Sequence, residues 1–437
     1  MTGKLSRPAT VDVITLGCSK NLVDSERLLK MFEHSGIVAR HNPEHGASSI
    51  VVINTCGFIS DAKEESIDTI MSYINLKNNG KVQKIYVMGC LSERYKEQLV
   101  AEIPEVDGFF GKFDWQSVLA QISKEAEVLS ADQRSVTTGP ANAYVKIAEG
   151  CNRFCAFCAI PLITGRFKSR PVEEIVREIE NLVAQGISEF NIIAQDLSSY
   201  GRDIYGGQSR LAYLIDTIAN IDGVKWVRLH YAYPADFPED ILDVIRDNPR
   251  VCKYLDIALQ HISDNVLKNM RRHITAKETR ALLSKIRERV PGIHLRTTLM
   301  VGFPGEGEKE FEELMEFVKE ARFERMGAFT YCEEDDTYAA SNFDDDIPQE
   351  VKDKRLDRLM ALQEEISREI QEEKLGKIIE VVIDREEDDY YVGRTQFDSP
   401  EVDPEVLVSK IKKLIPGQYY NVEITDALPF ELIGRPL

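Results

Sequence analysis

The sequence predicts an α/β protein with three parts: a parallel α/β domain, a partial (β/α) barrel of the TIM type, and a small all-β barrel at the carboxyl end. Two series of alternating segments predict the first two parts. Apolar β-branched runs alternate with helix-compatible segments in one series that ends near residue 125 and in a second series of six that follows it. Short strands separated by turns, after residue 371, predict the third part. A chain of 437 residues is long enough for several such domains.

Three strands of the first series run into a cysteine. "VDVITLGC" ends at Cys18, "SIVVINTC" at Cys56 and "KIYVMGC" at Cys90. Because the carboxyl ends of parallel strands meet at one edge of a sheet, we expect these three thiols to converge on one site. The alternative is three buried structural cysteines, since free cysteine is among the most buried residue types.

The second series contains six strand-like runs between amphipathic segments. They are "AYVKIA", "EFNIIAQ", "KWVRLHY", "KYLDIAL", "IHLRTTLMVGF" and "RMGAFTY". A complete eight-unit barrel takes about 250 residues, so six units predict an incomplete barrel. An open side leaves room for a large substrate.

A long helical segment connects this series to the last part. It carries a predicted apolar face formed by Leu356, Leu359, Leu362, Ile366 and Ile370. We expect that face to pack on the partial barrel. The short strands "IIEVVID", "YYVGRT" and "YYNVEIT" then predict a small β-barrel.

Composition narrows the class of protein. The formal net charge is −19, which repels a polyanion at long range and disfavours nucleic acid as the main partner unless a local basic groove exists. No apolar run approaches the roughly 18 residues of a membrane span. The first residues, "MTGKLSRPATVDVITLGC", lack the apolar core of a signal peptide, so we expect a cytoplasmic protein. Eight cysteines are too few for a disulfide scaffold of this length.

A second group of three cysteines lies in "EGCNRFCAFCAI". Cys151, Cys155 and Cys158 have the spacing C-x-x-x-C-x-x-C, with no fourth ligand nearby. A structural zinc site requires four ligands, although a catalytic zinc with water in the fourth position stays open as an alternative. An iron–sulfur cluster also usually takes four thiolates. With three, a 4Fe-4S cluster would keep one iron free to bind a reactant.

This motif, with Phe157 before its last cysteine, resembles that of the radical S-adenosylmethionine (SAM) enzymes. The resemblance implies a 4Fe-4S cluster on Cys151, Cys155 and Cys158 whose open iron binds SAM. Reductive cleavage of SAM then yields a 5′-deoxyadenosyl radical that abstracts hydrogen. The cofactor carries that chemistry, while the protein binds and orients.

The whole chain is similar to the methylthiotransferases. That resemblance implies a second, auxiliary 4Fe-4S cluster on Cys18, Cys56 and Cys90, and a terminal domain of the TRAM fold. It predicts domains at residues 10–126, 137–368 and 371–437: a methylthiotransferase domain, a radical SAM core and the TRAM domain.

Two substrate branches compete within this family: an aspartate of small-ribosomal-subunit protein twelve, and an adenosine of transfer RNA. Four sequence segments resemble the ribosomal-protein branch: "TLGCSKNLVDSE", "CNRFCAFCAIPLITGRFKSRP", "AQDLSSYG" and "YVGRTQFDSPEVD". Ala258 departs from the family pattern, where proline is expected, and affects loop rigidity more than chemistry.

Charge favours the same branch. Residues 371–437 hold 8 Lys or Arg and 15 Asp or Glu, a net charge of −7. An acidic surface suits a basic ribosomal protein better than RNA, although acidic residues also serve solubility alone.

The resemblance also implies SAM-contacting residues at strand ends. Phe157 is expected near the adenine, with shielding of the cluster as the alternative. The other expected contacts follow two barrel strands: Gln195, Asp196, Gly302, Phe303 and Gly305. A plain strand-to-helix turn is the alternative for the glycines. His230 and His261 are candidates for the substrate pocket, and structural histidines are the alternative.

The predicted reaction uses SAM twice. One molecule methylates a sulfur held at the auxiliary cluster. Another supplies the radical that abstracts a hydrogen atom from the aspartate β-carbon, and transfer of the methylthio group then gives 3-methylthioaspartate. The expected partners are the ribosomal protein, an electron donor and a sulfur donor, with nucleic acid only as a contact on the ribosome, no membrane, and a monomeric chain. A non-enzymatic two-cluster electron-transfer protein is the alternative of another class.

Overall fold

The computed structural model describes residues 10–123, 128–130 and 132–437. The first nine residues of the segment considered for a signal peptide lie outside the described residues, as does the predicted domain end at 126. The chain forms two compact units. The first runs to Thr137 and takes in Ala159–Arg166, and the second comprises Thr138–Cys158 and Phe167–Leu437. The terminal β-barrel belongs to the second unit, and the predicted domain boundaries stay predictions.

The first unit is a parallel five-stranded sheet with helices. Its strands take the order β2-β1-β3-β4-β5. The elements are β1 Thr10–Thr15, α1 Ser19–His34, β2 Val38–His41, β3 Ile50–Thr55, α2 Ser60–Asn78, β4 Lys84–Gly89, α3 Cys90–Glu102, β5 Gly108–Phe109, α4 Trp115–Ile122 and α5 Ile160–Thr164. The three strands that precede cysteines, β1, β3 and β4, are neighbours in the predicted parallel sheet.

Both faces of this sheet are covered, as parallel sheets require. Val11 and Val52 lie in an apolar cluster on one face with α1, and Val51 and Ile53 lie in a second cluster with α2 on the other. The prediction that each strand ends at its cysteine is wrong for β1, which ends three residues before Cys18. A short loop covers that distance.

The second unit begins with six parallel strands in chain order, which confirms the partial barrel. The strands are β6 Asn142–Lys146, β9 Glu189–Ile193, β10 Trp226–Ala232, β11 Val251–Ile257, β12 His294–Val301 and β13 Arg325–Thr330, and β7 Ala148–Glu149 pairs with β8 Lys168–Ser169. The helices are α6 Val172–Val183, α7 Leu211–Ala219, α8 Ile241–Asp247, α9 Asp264–Asn269, α10 Ala276–Arg289, α11 Glu308–Ala321, α12 Tyr338–Asn342 and α13 Gln349–Glu372.

A closed five-stranded barrel completes the second unit, which confirms the predicted all-β part. Its strands are β14 Ile378–Glu386, β15 Tyr390–Thr395, β16 Glu405–Ser409, β17 Tyr419–Leu428 and β18 Glu431–Pro436, in the order β14-β15-β16-β18-β17. Strands β16 and β18 were not among the predicted runs. No helix in the described ranges has the length and apolarity that crossing a membrane requires.

Helix α13 corrects one detail of the sequence prediction. Of the five apolar positions expected on its buried face, only Leu359 and Ile366 are buried. The other three stay partly exposed: Leu356, Leu362 and Ile370. Lys352, Arg355 and Gln363 are buried on that face instead, because each finds an acceptor: Lys352 binds the Tyr331 carbonyl, Arg355 binds Glu306, and Gln363 binds the Phe323 carbonyl.

A segment of the terminal barrel closes the amino end of the partial barrel. We call residues 394–403 the floor segment. Arg394 donates two hydrogen bonds to Glu189, the first residue of β9, at 2.8 and 2.9 Å. Asp398 pairs with Arg325, the first residue of β13. Asp403 accepts a hydrogen bond from Tyr254 of β11. Charged groups on both sides therefore meet in a buried interface.

Candidate functional site

The second cysteine triplet lies on a loop that the second unit anchors by its backbone. The Ala156 amide donates to the Met270 carbonyl at 2.9 Å, and the Ala156 carbonyl accepts from the Ala339 amide at 2.7 Å. Beside it, the ring of Phe157 packs edge-on against Phe303, with centroids 6.2 Å apart. The loop is therefore held at the carboxyl edge of the barrel from two sides.

The thiols of this loop sit in contrasting surroundings. Cys151 is buried, while Cys155 and Cys158 are half-buried. Burial, together with the charges of Asp196 and Cys155, raises the pKa of the Cys151 thiol to about 12, against the hydrogen bond and charge of Arg153. Such a thiol is a poor free nucleophile at neutral pH, whereas a bound metal deprotonates a coordinating thiol outright. This environment fits a ligand better than a nucleophile.

In the described part of the chain, no three His, Cys, Asp or Glu side chains stand close enough to share a single metal ion. An iron–sulfur cluster is held differently, because each thiolate binds its own iron and the sulfurs stand apart.

Two arginines flank the triplet and share one aromatic ring. The guanidinium groups of Arg153 and Arg272 each lie 4.2 Å from the centroid of Tyr233. Arg272 donates to the Cys155 sulfur at 3.3 Å, and the Arg153 amide donates to the Cys151 sulfur at 3.4 Å. Both arginines thus place donors next to sulfurs that would ligate a cluster.

Buried acceptors without partners lie at the same barrel edge. Within the described residues, Gln195 Oε1, Asp196 Oδ1 and Gln260 Oε1 are buried and accept no hydrogen bond. Gln260 also has a φ of +71°, a left-handed conformation that is strained for a residue with a side chain. Buried acceptors usually have donors, so these three atoms point to a bound molecule that carries amino or hydroxyl groups. SAM carries both.

The turn after β12 is built from close contacts inside the protein. Gly302 and Gly305 have φ values of +76° and +93°. A Cβ at Gly302 would stand 2.4 Å from Cγ of Lys352, and one at Gly305 would stand 2.5 Å from Nδ2 of Asn269. Phe303 between them is fully buried. The close approach that the glycines allow is thus made by side chains of the chain itself.

The two histidine candidates differ in their surroundings. Both His261 nitrogens have protein partners: Nδ1 accepts from the Ser263 amide at 3.0 Å, so Nε2 carries the proton and donates to Glu306 at 3.1 Å. His261 is fully buried, which favours a structural role. His230 is also buried, and its ring lies 6.5 Å from that of Tyr144.

The first triplet lies in the first unit, where glycines bring the strand ends close together. Gly17, before Cys18, has a φ of +86°, and a Cβ there would stand 2.8 Å from the Cys56 sulfur. Gly89, before Cys90, has a φ of +104°, and a Cβ there would meet the Thr55 carbonyl oxygen at 2.5 Å. The three loops therefore converge at the carboxyl edge of β1, β3 and β4.

Asn21 ties these loops together. Its side-chain amide donates to the carbonyls of Leu16 and Thr55, at 3.0 and 3.1 Å. Its Oδ1 accepts from Lys112 at 3.2 Å and lies 3.6 Å from the Cys90 sulfur. One buried side chain thus holds the loops that carry the cysteines in register.

The thiols of the first triplet also differ among themselves. Burial raises the pKa of Cys56 to about 12, and its cysteine neighbours Cys18 and Cys90 raise it as well. Cys18 is exposed as a residue although protein atoms surround its sulfur. That desolvation raises its pKa, but Lys20 and Lys112 lower it to below its ordinary value. Cys18 precedes α1 and Cys90 begins α3, and helix amino termini favour thiolates.

Sequence reasoning missed several residues of both sites: Asn21, Lys112, Arg153, Gln260 and Arg272. Lys112 follows β5, the strand next to β4, so the strand-end argument that found the cysteines applies to it too. Gln260 follows β11 in the same way. Arg272 carried no such signal, because it comes after α9 and reaches Cys155 only through the tertiary fold.

Three family models match the chain in succession. The uncharacterized protein family UPF0004 matches residues 10–111, the radical SAM superfamily matches residues 145–318, and the TRAM domain matches residues 375–437.

Curated relatives align over nearly the whole length. The ribosomal protein uS12 methylthiotransferase RimO of Phocaeicola vulgatus is 57% identical and covers 98% of this chain and 99% of its own. The protein of the same name from Porphyromonas gingivalis is 55% identical, covering 97% and 98%.

Among solved structures, a radical S-adenosylmethionine methyltransferase, TsrM, from Kitasatospora setae superposes with a TM-score of 0.55 at 15% identity. It covers 74% of this chain and 73% of its own. This likeness shows the fold that the two share.

Proposed function

The chain belongs to the family of the ribosomal protein uS12 methylthiotransferases, and from that membership we propose the roles of its residues in the reaction. It is a radical SAM methylthiotransferase that acts on ribosomal protein uS12. We assign the SAM-binding 4Fe-4S cluster to Cys151, Cys155 and Cys158, and an auxiliary 4Fe-4S cluster to Cys18, Cys56 and Cys90. The product is 3-methylthioaspartate.

One observation carries this assignment for the second unit. A loop with three thiols lies at the barrel edge where Gln195, Asp196 and Gln260 hold buried acceptor atoms without donors. When bound, the reduced cluster and SAM supply a 5′-deoxyadenosyl radical that can take hydrogen from the aspartate β-carbon. That chemistry leaves the protein three tasks: to bind SAM, to orient it and to exclude water.

The residues of the chain fit these tasks. Asp196 is fixed by Arg153, which donates to its Oδ2 at 2.7 Å, so its other oxygen can accept from the amino group of SAM. Phe157 and the buried Phe303 form an apolar wall that excludes water from the adenine side. The Gly302 to Gly305 turn supports this wall through its contacts with Lys352 and Asn269.

The substrate proposal rests on family membership and on charge. A net charge of −7 over residues 371–437 attracts a basic ribosomal protein and repels RNA. We propose that the reaction draws on an electron donor and a sulfur donor and that it takes place in the cytoplasm. We propose that the chain acts as a monomer.

Iron content tests the two-cluster assignment. Anaerobic reconstitution of the full chain is expected to give about eight irons per chain, and replacing either triplet with alanine about four. Cys252→Ala and Cys332→Ala are matched controls, since neither residue belongs to a triplet, and each should keep the full content. Equal iron in the parent and in the Cys18→Ala, Cys56→Ala, Cys90→Ala variant would contradict the auxiliary cluster.

Product analysis tests the substrate. The reconstituted protein is incubated with SAM, a reductant and either uS12 or transfer RNA, and mass spectrometry detects the added methylthio group. We expect the addition on an aspartate of uS12. Product on transfer RNA alone would contradict the proposal in favour of the other branch, and SAM cleavage without either product would favour neither substrate.

A further inference from the structure

Lys112 is a buried lysine beside the first cysteine triplet. Its side chain is 3% exposed, and lysine is almost never this buried without a partner. The ammonium lies 2.9 Å from Asp24 Oδ2, 3.2 Å from Asn21 Oδ1 and 3.9 Å from the Cys90 sulfur. Three donors of one ammonium therefore face a carboxylate, an amide oxygen and a cysteine sulfur.

A cysteine that ligates iron does so as a thiolate, and Lys112 lies beside the sulfur that would carry that charge. A neutral thiol is a weak acceptor, whereas a thiolate is a strong partner for an ammonium. Lys112 and Asp24 alone already balance in charge. Three thiolates around a 4Fe-4S core add a net negative charge, and reduction adds another. In a site with little water, a cation next to Cys90 offsets that charge.

We propose that Lys112 is a positioning residue whose ammonium compensates the negative charge of the auxiliary cluster through the Cys90 sulfur, and so sets the reduction potential of that cluster. The inference rests on the proposed function, which puts a cluster on this triplet. Potentials of iron–sulfur clusters follow net charge and hydrogen bonds to the sulfurs. Lys112 supplies both, and Asp24 weakens its charge.

The test measures the auxiliary cluster alone in the full chain. Cys151→Ala, Cys155→Ala and Cys158→Ala together remove the other cluster, and the midpoint potential is then measured by redox titration followed by electron paramagnetic resonance. Lys112→Met removes the cation and is expected to lower the midpoint. Asp24→Asn removes the opposing anion but keeps an acceptor for Lys112, and is expected to raise it. Lys96→Met, an exposed lysine on α3, is the matched control and should leave the midpoint unchanged.

Opposite shifts are the signature of charge compensation, because looser packing would not change sign between the two variants. Midpoints that stay at the parent value, or that move in the same direction, overturn the inference. Where Lys112→Met does not fold, Asp24→Asn decides: a rise supports the inference, and no change or a fall overturns it. If the parent of this series holds no iron, the proposed auxiliary cluster fails instead, so the two failures are distinguishable.

Discussion

Glu189 is the centre of the buried ion network between the partial barrel and the terminal barrel, and its replacement tests that network. Its carboxylate accepts from Arg228 and from both terminal nitrogens of Arg394. Burial raises the pKa of Glu189, but the two guanidinium groups outweigh burial and lower it to about 2. Glu189→Gln keeps the shape of the side chain and removes the carboxylate that pairs with the buried Arg228, whereas Arg394 keeps its pair with Asp384.

The expected cost follows from that pKa. A fall from the ordinary value of 4.5 to about 2 corresponds to about 3 kcal/mol of interaction with the charged form. Removing one partner of a buried ion pair costs a similar amount, about 3 to 5 kcal/mol, because the remaining charge is uncompensated. For a unit of this size we expect the unfolding midpoint of the second unit to fall by about 5 to 8 °C.

Differential scanning calorimetry and urea unfolding measure this loss. Glu380→Gln is the matched control, because Glu380 pairs with Lys225 at 3.0 Å across the same two parts of the unit but in an exposed position. Exposed pairs contribute less than about 1 kcal/mol, so the control should change little. Equal effects of Glu189→Gln and Glu380→Gln would refute the view that burial gives the network its importance.

Three further outcomes are expected. The stability that Glu189 contributes is complete above pH 4.5 and is lost as pH falls toward about 2, so Glu189→Gln should approach the parent in urea midpoint at about pH 3; a constant difference would contradict this. Gly302→Ala should cost about 1 to 3 kcal/mol in urea unfolding, because its φ is +76° and Lys352 lies 2.4 Å from the new Cβ, whereas Gly327→Ala, with no atom within 4 Å, should not destabilise; equal costs would count against the steric argument. Asp196→Asn should weaken SAM binding to the reconstituted chain about tenfold in equilibrium dialysis, and unchanged affinity would remove Asp196 from the SAM site.

The fold was predictable where the pattern is local. The strands before Cys56 and Cys90 are short apolar runs that end at a cysteine, and the parallel sheet followed from their alternation with helices. The buried face of α13 was less predictable. Lys352 and Arg355 are buried there because the Tyr331 carbonyl and the Glu306 carboxylate accept their hydrogen bonds. The pattern of apolar residues along one helix does not contain that information.

In the candidate sites, too, some residues were predictable from the sequence and others were not. Cysteine spacing and strand ends indicated all six thiols, and the same strand-end argument reaches Gln195 and Asp196. Neither argument identified the residues that hydrogen-bond to the thiols. Arg272 and Asn21 act across 117 and 69 positions of chain, on Cys155 and Cys90 respectively, so only the folded structure brings them together.

The floor segment bears on how proteins of this kind can be recombined. Arg394 and Asp398 pair with the first residues of two barrel strands, Glu189 and Arg325, and Asp403 accepts a hydrogen bond from Tyr254 within β11. A terminal barrel without these three residues would remove one buried partner from each of Glu189, Arg325 and Tyr254. The terminal barrel is therefore not a detachable cassette. Any exchange that alters substrate choice has to transplant the floor segment together with the strand residues that it meets.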